Sequence, residues 1–254
     1  MGKNDEREKI EITLAALKRR GFDARFAENR EIARKMVLDL VPEDWIVGCG
    51  DSSTIRSIGV PQDLVDLGHE VLRYGRFYKP KINREKEQPA PSPTGEDRPL
   101  GCDAFLASAH VTEDGKIVNI DGSGNRIVGI ICGGRRGILV VGRNKIVKDV
   151  EEALYRIKNV VCSLHSKTTG IGKGMLCAAA GKCVEPEVFC DPGEIRACNV
   201  VLILEATPDH REIVVILVDE DLGLGFDPAW PQERKDKIYA EYQEFTPPHS
   251  PVYR

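Results

Sequence analysis

The chain reads as an α/β protein, a mostly parallel sheet flanked by helices, with an antiparallel element and an N-terminal helical arm. Three observations predict this. Short continuous apolar runs bounded by turns, such as WIVGC (45–49), GILVVG (137–142) and EIVVILVDE (212–220), mark strands covered on both faces. Stretches with apolar residues three and four apart alternate with them, as a parallel sheet requires. A hairpin turn, Glu113-Asp114-Gly115, leads into KIVNI and supplies the antiparallel pair.

The elements follow in order. Ile10, Leu14 and Leu17 share a helical face before Gly21, and Ile32, Met36, Val37 and Leu40 share a second that stops at Pro42. These two helices make residues 1–42 the arm; residues 43–222 form the α/β domain, and 223–254 a proline-rich extended tail around one short helix. WIVGC is the first buried strand; GDSSTIRSIG and PQDLVDLG are helices, the latter with Pro61 at its first turn, and HEVLRY is a strand. Residues 79–99, rich in Pro, Lys and Glu, read as a mobile surface loop. CDAFLASAHV (102–111) reads as one buried strand, SGNRIVGIICGG as a short helix and VKDVEEALYRIKNVV as a strong amphipathic helix. NVVLILEA and EIVVILVDE are two strands able to pair with each other.

At 254 residues, 41% hydrophobic and 30% charged, the chain suits one large domain with a real core. A net charge of −4 gives no broad drive toward nucleic acid or anionic membrane, and no apolar run approaches the roughly 20 residues that span a bilayer. The charged opening MGKNDEREKIEI lacks a signal-peptide core, so the expectation is a cytoplasmic protein with reduced thiols.

Three glycine-bearing segments follow strand ends, where open α/β sheets bind ligands. GCGDSST places Gly48, Gly50, Ser52, Ser53 and Thr54 at a strand–helix joint whose N–H groups and hydroxyls suit phosphate or carboxylate. NIDGSGNR brings Asn119, Asp121, Gly122, Gly124, Asn125 and Arg126 to a helix start, a set able to orient a polar ligand and stabilise developing negative charge. VGRNKIV adds Asn144 and Lys145. Capping and tight-turn geometry are the structural alternatives for the first two. Asp121 and Glu113 are the candidate acid/base groups; no nucleophile–base pair is evident.

Cys177, Cys183, Cys190 and Cys198 fall five, six and seven residues apart in GMLCAAAGKCVEPEVFCDPGEIRACN. Four soft thiolates select an iron–sulfur cluster or zinc over hard cations, though the spacing is diagnostic of neither, and free thiols or a redox disulfide stay open. Cys49, Cys102, Cys132 and Cys162 read as small buried hydrophobes.

The segments VGCGDSSTIRSIGV, DAFLASAHVTEDGKIVNIDGSGNRI, LVVGRNKIV, the GKC…CN region, NVVLILE and VILVDEDLGLGFDPAWP together resemble the lactate-utilization (LUD) domain family over most of residues 10–235. The resemblance implies a sugar-isomerase/CoA-transferase-like fold and a part in oxidising lactate beside iron–sulfur partner subunits. One departure stands: Cys183 is followed by Val184, Glu185 and Pro186 where such members often carry Cys-x-x-Cys. Three functions are carried forward. The first is a redox-associated accessory subunit that binds a small anionic metabolite. The second is a stand-alone isomerase or transferase acting on a phosphosugar or acyl-CoA, and the third a non-catalytic module with zinc or free thiols. A homo-oligomer is left open.

Overall fold

The computed structural model describes residues 3–74, 101–169, 175–188, 190 and 196–246. The chain runs α1 (Lys3–Arg19), β1 (Asp23–Ala27), α2 (Arg30–Asp39), β2 (Val47–Gly50), α3 (Ser53–Ser57), α4 (Val60–Asp66) and β3 (Val71–Tyr74). It continues with β4 (Ala104–Ala107), β5 (His110–Thr112), β6 (Ile117–Asp121), α5 (Asn125–Cys132), β7 (Arg136–Gly142) and β8 (Ile146–Val147). Then come α6 (Val150–Arg156), a π-helical turn (Ile157–Cys162), α7 (Ser163–Thr169), α8 (Leu176–Ala180), β9 (Val200–Leu204), β10 (Glu212–Val218) and α9 (Gln232–Glu244).

Six strands pair in parallel in the order β1-β10-β7-β4-β2-β3. A smaller mixed sheet, β8-β5-β6-β9, holds the antiparallel pairs β5–β6 and β6–β9. The two-residue period of a strand sends alternate residues to opposite faces. In β10, Val214, Ile216 and Val218 join Val37, Ile55 and Leu64 on the face covered by α2, α3 and α4. Ile213, Val215 and Leu217 join Ile10 and Leu17 of α1, Ile130 of α5 and Val111 and Ile117 of the mixed sheet. Both faces of the central strands are therefore dry, which is why β4, β7 and β10 read as apolar runs.

Three elements differ from the sequence reading. CDAFLASAHV is two strands: β4 lies in the parallel sheet, the chain breaks at Ser108–Ala109, and β5 lies in the mixed sheet. NVVLILEA and EIVVILVDE do not pair. β9 lies against β6, and β10 sits between β1 and β7. Residues 1–42 carry both expected helices and also β1, an edge strand of the main sheet, with Ile10 and Leu17 fully buried. The segment 79–99 lies outside the described residues. Among the described residues no helix is long and apolar enough to cross a membrane.

Because all six strands point one way, the chain leaves β2, β4, β7 and β10 at one edge of the sheet. Residues 51–53, 108, 144–145 and 222–225 therefore gather there.

Candidate functional site

At that edge lies a cavity of about 160 Å³. Its floor comes from strand ends: Asp51, Ser52 and Ser53 after β2, Ser108 and His110 around the β4–β5 break, and Lys145 after β7. One wall is the turn between β6 and α5, with Asn119, Asp121, Gly122, Asn125 and Arg126. The opposite wall is Ile157, Val161 and Cys162 of the π-helical turn, His165 and Ser166 of α7, and Tyr242 of α9. The wide π turn departs from the helical repeat and presents Val161 and Cys162 to the cavity.

Lys145 is the central group. It is 6% exposed, and its Nζ donates to Thr54 Oγ1 at 2.6 Å and Ser108 Oγ at 2.8 Å. Among the described residues no carboxylate pairs with it, whereas each arginine of the wall has one. Arg56 meets Asp51, Arg126 meets Asp121 at 3.2 Å, and Arg196 meets Glu185 at 3.1 Å. Burial, reinforced by the positive charge of Arg126, pulls the Lys145 ammonium down to about 7. Burial, then Lys145 and Arg156, holds His110 well below the usual imidazole range, so His110 is neutral at neutral pH. His110 Nε2 and Ser166 Oγ are buried at the cavity with no hydrogen-bond partner among the described residues. Buried polar atoms are seldom left this way, and a bound ligand or water would satisfy them. Burial pushes the Asp51 carboxyl up, but Arg56, His165 and Arg126 outweigh it and leave it below the ordinary carboxylate value.

The loop after β10 shapes the cavity from the far side. A Cβ on Gly223 would stand 2.6 Å from Thr54 Oγ1 and 3.2 Å from Lys145 Nζ. One on Gly225 would stand 2.7 Å from His110 Nε2 and 2.9 Å from Lys145 Cγ. Only glycine lets this backbone pass so close to both side chains.

Of the residues named from sequence, Ser52, Ser53, Asn119, Asp121, Gly122, Asn125, Arg126 and Lys145 line the cavity. The others support it. Thr54 holds Lys145, and Gly50 gives room to Arg126, whose Cγ would lie 2.7 Å from a Cβ there. Gly124 adopts φ +83° at the start of α5, and Gly48 lies within β2. Asn144 spends its amide on the glycine loop, donating to Gly223 O at 2.8 Å and accepting from Leu222 N at 3.0 Å. Asp121 is likewise committed: it accepts from Ser123 N, Arg126 N and Arg126 Nε at 3.1, 2.9 and 3.2 Å. Glu113 stands away from the cavity, paired with Lys9 at 2.9 Å. Ser108, His110, Ser166 and Tyr242 were not named from sequence. The first two were hidden in what reads as an uninterrupted strand.

The thiols are brought near one another. Burial, then the fields of Cys190, Cys198 and Cys183, pushes Cys177 up. Cys198 accepts from the Cys162 thiol and from Arg196, and falls to about 6. Yet among the described residues no three His, Cys, Asp or Glu side chains are arranged to hold a metal ion.

The family model described as the LUD domain matches residues 10–218. The chain belongs to the LUD domain family. That family is related to lactate utilization, as the resemblance implied. In this LUD domain the matched span holds every strand and Lys145. Gly223, Gly225 and Tyr242 lie beyond it. Among solved structures, a DUF162 family protein from Deinococcus radiodurans is similar, at 15% identity over 86% of this chain and 99% of that one, with a TM-score of 0.44. No curated protein matches.

Proposed function

We propose that this LUD domain binds a small organic anion in the cavity around Lys145 and serves as an accessory subunit of a lactate-oxidising assembly whose iron–sulfur clusters reside on partner subunits. The observation that carries the binding is the buried ammonium of Lys145, which has hydroxyl partners but no carboxylate among the described residues. A buried cation without a counter-charge is costly, and an anionic ligand removes that cost. Arg126 and Asn125 at the wall, and the Ser166 hydroxyl, which has no partner among the described residues, supply further donors. Family membership supports the metabolic setting.

Thermal-shift titration with lactate, acetate and phosphate at neutral pH tests the reading. A ligand present at a hundred times its Kd stabilises by about 2.7 kcal/mol, well within detection. Stabilisation that Lys145→Met abolishes supports it; no response to any of the three overturns it. An iron–sulfur cluster or zinc on Cys177, Cys183, Cys190 and Cys198 is a second role to test, since four thiolates select such soft ions. Iron, zinc and acid-labile sulfide analysis of anaerobically purified protein, against Cys183→Ser, tests that second role.

A further inference from the structure

We infer that Lys145 is a carbonyl-reactive amine, and that the cavity takes a small 2-oxo acid and joins it to Lys145 Nζ as an imine. This rests on the anion-binding reading above and names the substrate class of the same site.

The argument begins with geometry. An amine can attack a carbonyl only if its nitrogen lies in a cavity large enough for the carbonyl and is not tied up by a carboxylate. Lys145 meets both conditions: its side chain lines the cavity, and Thr54 and Ser108 are its hydrogen-bond partners. Imine formation next needs a group that carries protons between nitrogen and oxygen. His110 is placed for this. Its Nε2 has no partner among the described residues, and both it and Lys145 Cγ lie within 3 Å of the Cβ position that Gly225 leaves empty. An imidazole kept neutral by burial accepts a proton and returns it. A lysine desolvated beside another cation is the arrangement that activates an amine for this chemistry. Here burial supplies the first condition and Arg126 the second.

The cationic wall defines the rest of the substrate. Arg126 and the amide of Asn125 lie along the same cavity and favour a carboxylate. A carboxylate for the wall and a ketone for the amine describe a 2-oxo acid, and the cavity of about 160 Å³ has room for a small one.

The step balances without an oxidant. The neutral Nζ donates its electron pair to the carbonyl carbon, and the C–N bond forms as the C=O π pair moves to oxygen. His110 carries the two Nζ protons to that oxygen in turn, the oxygen leaves as water, and the resulting neutral imine gains a proton from solvent.

The test is borohydride trapping of the full-length protein with pyruvate at about pH 7.5, where a lysine of pKa near 7 exceeds ordinary lysines in neutral fraction by about a thousandfold. Intact-mass and peptide mapping read the product, with lactate as the carboxylate that lacks a ketone. The expected result is one secondary-amine adduct, mapping to Lys145 and lost in Lys145→Arg. Lysines elsewhere should react on the order of a thousandfold less. Should both acids raise Tm while no adduct forms, imine chemistry is overturned and the anion site stands. Adduct spread over exposed lysines, or unchanged in Lys145→Arg, also overturns it. If neither acid raises Tm and no adduct forms, the imine reading falls, and the anion reading falls with it when acetate and phosphate also give no shift. Mapping on the wild-type protein keeps the test decisive if the variant does not fold.

Discussion

Lys145 fixes the energetics of the site at the residue scale. Its amine titrates near 7 in the folded chain and near 10.4 once unfolded. Between those values the unfolded chain holds the extra proton, so stability rises with pH, by up to about 1.4 kcal/mol per unit. Below about pH 7 both states are charged and the full burial penalty stands. Lys145→Met removes that penalty. Urea melts should show the variant gaining most over wild type at about pH 6 and the gain shrinking toward about pH 10. Gly225 is the second telling position. It holds φ +130° with His110 Nε2 and Lys145 Cγ close against it, so Gly225→Ala adds both backbone strain and a clash. A loss of about 1–3 kcal/mol is expected by thermal melts, together with loss of ligand-induced stabilisation.

The elements show which parts of the site were legible and which were not. Ser52 caps α3 by accepting from Ile55 N at 3.3 Å, as the Ser-Ser-Thr sequence after a strand suggests. Ser52→Ala should cost about 1 kcal/mol and loosen a five-residue helix. Because Thr54 on that helix holds Lys145, anion affinity measured by calorimetry should fall with it. The Gly-rich turns were readable because glycine, serine and asparagine advertise turn and cap chemistry locally. The break at Ser108 was not. Its neighbours are as apolar as any central strand, and only tertiary pairing assigns β4 and β5 to different sheets. That masking concealed His110, the group beside Lys145. The pairing of β9 and β10 failed for a related reason: two apolar strands in sequence look like partners until the sheet order is known. The one local hint for the cavity floor was Gly-Leu-Gly at 223–225, two glycines shortly after a strand.

For the molecule as a whole, the cavity depends on contacts between distant parts of the chain. Arg234 on α9 reaches Asp221 at 2.7 Å and Glu6 of α1 at 2.6 Å, and Arg143 joins both carboxylates. Burial raises the Asp221 carboxyl, but Arg234 and Arg143 outweigh it and hold it below the ordinary value. Its contribution is therefore present above about pH 4 and is lost as pH falls through the lower folded value. Arg234→Leu should cost about 1–3 kcal/mol at neutral pH and start acid unfolding at a higher pH, both followed by circular dichroism. The order of the main sheet carries a further consequence, one of timing. Among the described residues β1 bonds to β10 alone, nearly two hundred residues downstream. β1 stays unzipped until β10 slots between it and β7. Such distant closure makes for slow maturation. Pulsed deuterium labelling during refolding should find the amides of Asp23–Ala27 guarded only in the last kinetic phase, after those of β4 and β7.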